Sequence, residues 1–191
     1  MLGALLLLRS GTAGRVSATL DAPALVLQIQ RMSELTTVKY SVQKVIGLEE
    51  AKFPVGTERI LLVVQASVRA GIDLSQVKLE HVKVLGEDRV LVQLPEPKIL
   101  QVAIDEKQTK VWDRAVTWWT PWVPYNPDLE RQARITALQS VEETAIGMGV
   151  LDQARTNARQ LIRGLLEQMG ARQVEFSGPL TRARVKPAAA A

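Results

Sequence analysis

The chain has 191 residues, a net charge of +4 and nearly half its residues apolar (47%), which suits one domain of ordinary size with a sizeable core. It contains no cysteine and one histidine, His81. That excludes disulfides, cysteine-held zinc or iron–sulfur centres and histidine metal clusters, and permits a Ser-His-Asp triad only with His81 as its base. The basic excess is small for a dedicated nucleic-acid binder of this size, so nucleic acid is not expected as the main partner.

Leu2 to Leu8 is continuously apolar and ends at Arg9-Ser10. Seven residues cannot cross a bilayer, which needs about 20, and no basic region precedes them as in a signal peptide. Two readings stand: an apolar N-terminus of a soluble protein, or the tail of a transmembrane helix whose start lies upstream. The second is preferred, mainly on a family resemblance described below. Arg9 and Arg15 then give a weak lean towards a domain on the cytoplasmic face. Residues 1–22 are thus an apolar N-terminus plus linker, 23–178 the domain, and 179–191 a disordered tail.

Asp21 and Pro23 open a helix, cap then first turn, with Leu25, Ile29, Met32 and Leu35 as its apolar stripe. A strand is predicted from about Thr36, and Glu49 to Gly56 reads as its hairpin connection. Ile60 to Val68 is rich in β-branched residues and reads as a buried strand. Ala70-Gly71 ends it, Gly71 serving a bend or bulge that a side chain would obstruct. Asp73 and Gln76 have capping-box spacing around one short turn. Val82, Val84, Val90 and Val92 predict two strands joined by residues 86–89. Pro95 and Pro97 interrupt the ladder, and Ile99 to Ile104 resumes it. Strands continue to about Val111.

Asn126-Pro127 marks a helix start, with Asp128 and Glu130 at the positive end of its dipole. Leu129, Ala133, Ala137, Val141 and Ala145 recur every four residues and give an apolar, small-residue face. Gly147-Met148-Gly149 interrupts, and a second helix runs from about Leu151 to Met169, capped by Gly170. Leu151, Ala154, Ala158, Leu161 and Leu165 form a coiled-coil-like seam, a candidate surface for close packing of the two helices and for self-association. Arg172 to Phe176 reads as a last strand. A helix, then strands, then helices points to an α+β domain with a mostly antiparallel sheet.

Trp112, Trp118, Trp119, Trp122 and Tyr125 fall within fourteen residues and include all four tryptophans of the chain. Prolines at 121, 124 and 127 keep the segment from forming a helix. Trp118, Trp119, Trp122 and Tyr125 are candidates for membrane or partner contact, against the plainer reading that they cover the core. Arg155, Arg159 and Arg163 form a stripe at every fourth residue, a candidate for anionic surfaces against the plainer reading of a solvated face partly offset by Glu167 and the acids of the preceding helix. The basic tail of Arg182, Arg184 and Lys186 adds to it.

Asp73, beside Gly71, is the candidate polar site, and an enzyme built there, hydrolase-like and using carboxylates, is one alternative. The plainer reading is a helix cap. His81 reads as a strand-face histidine and Tyr40 as a packing residue. No phosphate-binding loop, nucleophile elbow, paired-acid motif or metal-ligand spacing is present, so no catalytic residue, metal or cofactor is assigned. A small-molecule ligand is left open.

Four segments, in order, resemble the prokaryotic family named domain of unknown function 4230. They are Leu35, Thr37 and Tyr40; Val68 to Ser75; Val92 to Leu100; and Ala154, Asn157 and Ala158. The likeness runs from about Val26 to Val174. It implies a membrane-anchored domain that follows an N-terminal transmembrane helix, and it supplies no catalytic residues. The expected function is therefore a non-enzymatic, membrane-tethered binding or scaffolding module. The alternatives are the enzyme at Asp73 and weak nucleic-acid or anionic-surface binding through the arginine stripe.

Overall fold

The computed structural model describes residues 20–53, 55–117 and 124–178. The leading helix is α1 (Ala22–Gln30), with Pro23 in its first turn and Leu25, Val26 and Ile29 buried. Two long strands follow, β1 (Glu34–Ala51) and β2 (Thr57–Asp73), paired antiparallel along their whole length. Val38, Val42 and Ile46 on β1, and every second residue from Glu58 to Ala70 on β2, are buried on one face. β2 does not end at Gly71, as the sequence suggested; it runs on to Asp73 because its alternation of inward apolar residues continues through Ile72.

After a 3-10 turn at Leu74–Gln76 and another at Leu79–His81, β3 (Val82–Leu85) and β4 (Arg89–Val92) form a hairpin. His81 therefore sits in a turn, not on a strand face. Its Nδ1 accepts from the Lys78 N–H at 2.9 Å, and its Nε2 lies 3.3 Å from Glu80. Then come β5 (Lys98–Ile104) and β6 (Lys110–Val116), which pair with successive parts of the same edge of β2. Together they act as one strand interrupted at residues 105–109. There the Asp105 N–H donates to the Gln65 carbonyl at 2.8 Å, and the Gln65 N–H to Thr109 Oγ1 at 3.3 Å. The strands thus reach Val116, beyond the expected end near Val111.

α2 (Leu129–Gly147) and α3 (Val150–Gln168) close the fold, and β7 (Gln173–Phe176) adds to β4 in parallel. The domain is α+β: an antiparallel-dominated pair of sheets, one of order β1-β2-β5 with β6 also on β2, the other β3-β4-β7. Asn126 caps the approach to α2, its Oδ1 accepting the Asp128 N–H at 2.9 Å, although the regular helix starts only at Leu129.

α2 and α3 run one after the other, antiparallel to β1, on the inner face of the long hairpin. Asn126 Nδ2 donates to Glu50 at 2.7 Å, Lys44 Nζ to Ser140 Oγ and Thr144 Oγ1 at 2.6 and 2.7 Å, and Asn157 Nδ2 to the Thr37 carbonyl at 3.0 Å. The buried residues are Leu129, Ala133, Ala137, Val141 and Ala145 on α2, then Val150, Ala154, Ala158, Ile162 and Leu166 on α3. A row at every fourth residue winds around its helix, which suits a sheet that twists beneath it. The predicted seam is thereby corrected. Ala154 and Ala158 are occupied by the chain's own sheet, Leu161 is half exposed, and Ile162 and Leu166 take the buried places. The helices pack mainly on the strands rather than on each other.

Two cores result. The first lies between α2 and the hairpin, and the second joins α1, the end of β2, β3, β4 and the last half of α3. They meet at Gly71. A Cβ there would stand 1.9 Å from the Leu35 carbonyl oxygen and 2.9 Å from Leu100 Cδ1. Both neighbours of β2 bulge at this level, β1 at Thr37 and β5 at Leu100. The extra Thr37 is tied down by α3: its Oγ1 donates to the Ala154 carbonyl at 3.0 Å while its own carbonyl accepts from Asn157. The expectation that a side chain at 71 would be obstructed is met, through backbone contact rather than through an end of the strand.

Gly71→Ala is expected to destabilise the fold by at least about 3 kcal/mol, since the obstructing atoms are main chain and cannot rotate away. Urea unfolding followed by tryptophan fluorescence measures it. A loss under about 1 kcal/mol would mean that β1 moves freely at Leu35.

Candidate functional site

The far end of the hairpin is built around a buried charge. Glu58 has the same inward parity as Ile60, Leu62 and Val64, and it is fully buried. A carboxylate so placed must be paired. Lys52 Nζ lies 2.7 Å from its Oε2, the Asn126 N–H donates to Oε2 at 2.9 Å, and Arg114 Nε and Nη2 donate to Oε1 at 2.9 and 2.7 Å. Burial pushes this carboxyl up. The hydrogen bonds from Lys52, the Asn126 amide and Arg114 together outweigh it and hold the group below its ordinary value.

The cluster fastens the end of the aromatic segment to the hairpin. Arg114 Nη2 also donates to the Asn126 carbonyl at 2.6 Å, and Lys52 Nζ reaches the Pro124 carbonyl at 3.4 Å. On the other side the Thr117 N–H donates to the Thr57 carbonyl at 3.0 Å, and the Thr57 N–H to Thr117 Oγ1 at 2.7 Å. Trp118, Trp119 and Trp122 lie outside the described residues. Their flanks, Thr117 and Pro124, are both fixed beside the hairpin turn.

Tyr125 is 57% exposed, with the Arg114 guanidinium 4.7 Å above its ring. Phe53 in the turn is 93% exposed, and Val55 beside it is exposed too. Trp112, the extra residue in a bulge of β6, is 78% exposed. The described aromatics of this end therefore face solvent rather than cover the core. The sequence reading missed Glu58, Lys52 and Arg114. The signal was there: a lone carboxylate on the inward parity of an otherwise apolar strand.

Asp73 ends β2 at the other end of the hairpin. Its carboxylate accepts from Ser75 Oγ at 2.5 Å, Gln76 Nε2 at 2.8 Å and Lys98 Nζ at 3.1 Å. The Ser75 and Gln76 bonds, followed by Lys98, hold it well below the usual carboxylate range against the opposing effect of burial. The expected capping box does not form, because the side chain bonds its neighbours' side chains and makes no bond to the backbone of the turn. A carboxylate so fully engaged is a poor proton acceptor.

The arginine stripe lies on α3. Arg155 bonds Asp152 at 2.7 Å, while Arg159 and Arg163 stand 5.8 and 5.5 Å from the centre of the Phe176 ring. The partners found are thus Asp152 and an aromatic face, in place of the expected Glu167 and the acids of α2. Among the described residues no group of three or more His, Asp or Glu side chains could hold a metal ion, and no helix is long and apolar enough to cross a membrane.

Glu58→Gln is expected to cost about 3 kcal/mol at neutral pH, because it leaves the part-buried Arg114 without a carboxylate and Lys52 with only Glu50, 3.9 Å away. The lowered carboxyl makes its stabilisation complete above the ordinary value of 4.5 and lost as pH falls through the folded-state value. The gap in thermal stability between the native chain and Glu58→Gln is therefore widest near neutrality and narrows below pH 4.5. A gap independent of pH would mean that the ion cluster is not its source.

No curated protein and no solved structure is detectably similar to the chain. The profile of one family, described as protein of unknown function (DUF4230), matches residues 27–176. Those residues span most of the chain and contain all four segments that carried the resemblance, and the chain belongs to that family.

Proposed function

We propose that this protein is a membrane-tethered binding module that does no chemistry of its own and offers the hairpin tip to a partner. The observation that carries the reading is an exposed apolar tip held rigid by a buried ion cluster. Phe53, Val55 and Tyr125 face solvent there, while Glu58 locks the chain beneath them. Fixing solvent-facing apolar side chains on a rigid base is what a contact surface requires. The saturated Asp73 supports the same reading, since it leaves the best polar candidate without a free acid or base.

The tether rests on Leu2 to Leu8 and on the family resemblance, and Arg9 and Arg15 lean towards a cytoplasmic face. In this reading the two roles fall at opposite ends of the hairpin. Ser33, just after α1, bonds next to the end of β2: the Leu74 N–H donates to its carbonyl at 2.7 Å. The tip lies a whole β2 away, 17 residues, or about 55 Å at roughly 3.3 Å each. In this reading the tip is the end offered away from the bilayer.

Flotation of the full chain with neutral and with anionic vesicles, at low and high salt, tests this. Binding to both kinds of vesicle, indifferent to salt, is expected. It should vanish when residues 1–8 are removed and persist in Phe53→Ser/Val55→Ser. Failure of the full chain to float would remove the tether, and loss of flotation in the tip variant would put the tip itself in the bilayer.

A further inference from the structure

The second surface of interest lies on α3, far from the tip. Ile72, Leu94, Pro95, Phe176 and Ser177, with Arg155 and Arg159, line a small notch of about 20 Å³. Its floor is apolar and its rim cationic. Arg159 and Arg163 both stand over the Phe176 ring, and neither has a carboxylate partner among the described residues. A guanidinium laid on an aromatic face is held in place while its N–H edges stay free, which is the arrangement that favours bidentate carboxylate binding. Arg155 has one partner, the exposed Asp152 on its own helix, which an incoming carboxylate can replace.

The spacing narrows the ligand. Arginines at every fourth position of a helix recur about every 6 Å along its axis. Alternate side chains of an extended strand recur about every 6.6–6.8 Å. Three arginines in a row therefore match three acidic residues at alternate positions of an extended peptide, all on the one face turned towards α3. β7 strengthens the match. It carries Phe176 and Ser177, and β4 is its only strand neighbour among the described residues, so its other edge can take an added strand. The chain's own C-terminal segment does not fit, since Arg182, Arg184 and Lys186 repeat the charge of the rim.

We infer that the surface formed by the arginine row of α3 and the open edge of β7 binds an extended acidic peptide of a partner protein, its alternate carboxylates paired with Arg155, Arg159 and Arg163. This surface is separate from the tip and does not depend on the tether. The test is fluorescence anisotropy of the full chain with a labelled peptide of alternating Glu and Val. A Gln/Val peptide serves as control, and unlabelled anionic vesicles and single-stranded RNA serve as competitors. Binding of the Glu/Val peptide that weakens with salt is expected. In Arg159→Glu/Arg163→Glu it should fall about tenfold or more. In Phe176→Leu it should fall several-fold, with the thermal midpoint of each variant measured to show that it is folded. Equal binding of the Gln/Val peptide, or no loss in the folded arginine variant, would overturn the inference. Displacement of the peptide by vesicles or RNA at lower concentration than by unlabelled peptide would also overturn it, and would make the stripe a lipid or nucleic-acid surface.

Discussion

Gly71 lies against the backbone of Leu35 so closely that no side chain can stand between them, and the two halves of the molecule hang on that contact. At this level β1 bulges at Thr37 and β5 at Leu100, one on each side of β2. α3 fastens the first bulge through Asn157 and the Ala154 carbonyl. The four segments that mark the family, around Thr37, Gly71, Leu100 and Asn157, are far apart in the chain and meet here. The family signature is thus a packing signature. It records what holds a long hairpin, an interrupted third strand and a helix in register, which explains why it points to no chemistry.

The hairpin extends from this joint to a tip where the usual rule of an apolar interior is broken by one carboxylate. A buried ion pair is weak evidence of net stability but a strong constraint on geometry, because each partner is costly to leave alone. Glu58 draws Lys52 from the turn, Arg114 from β6 and the Asn126 amide from the approach to α2 to one point. The tip can then hold Phe53 and Tyr125 in water without collapsing onto them. The two ends of the molecule differ in kind: one is closed by backbone contact and a second apolar core, the other by charge.

Much of this was legible in the residues. The row Leu129 to Ala145 identified the buried face of α2, and Gly71 was marked as a place without room. The valines of β3 and β4 and the Gly86 turn fell where expected. Other features were not legible, for identifiable reasons. Leu161, Ile162, Leu165 and Leu166 offer two apolar stripes one residue apart, and only the sheet beneath α3 selects the second. Glu58 has partners 6, 56 and 68 residues away, so nothing local announces them. Asp73 had the spacing of a cap, but Lys98 and the Gln76 side chain drew its carboxylate away from the turn.

The order in which the elements leave the ribosome gives the hairpin a further significance. β1 and β2 are neighbours in sequence and can zip together at once, whereas α2, which covers them, begins 56 residues after Asp73. At synthesis rates of roughly 5–20 residues per second that interval is about 3–11 s. Through it the growing polypeptide carries a formed ribbon whose apolar side, Ile60, Leu62, Val64 and Val68 with Val42 and Ile46, has no cover. Such a ribbon is a natural client for a holdase chaperone, and its vulnerability ends when the Ala-rich helices emerge and dock.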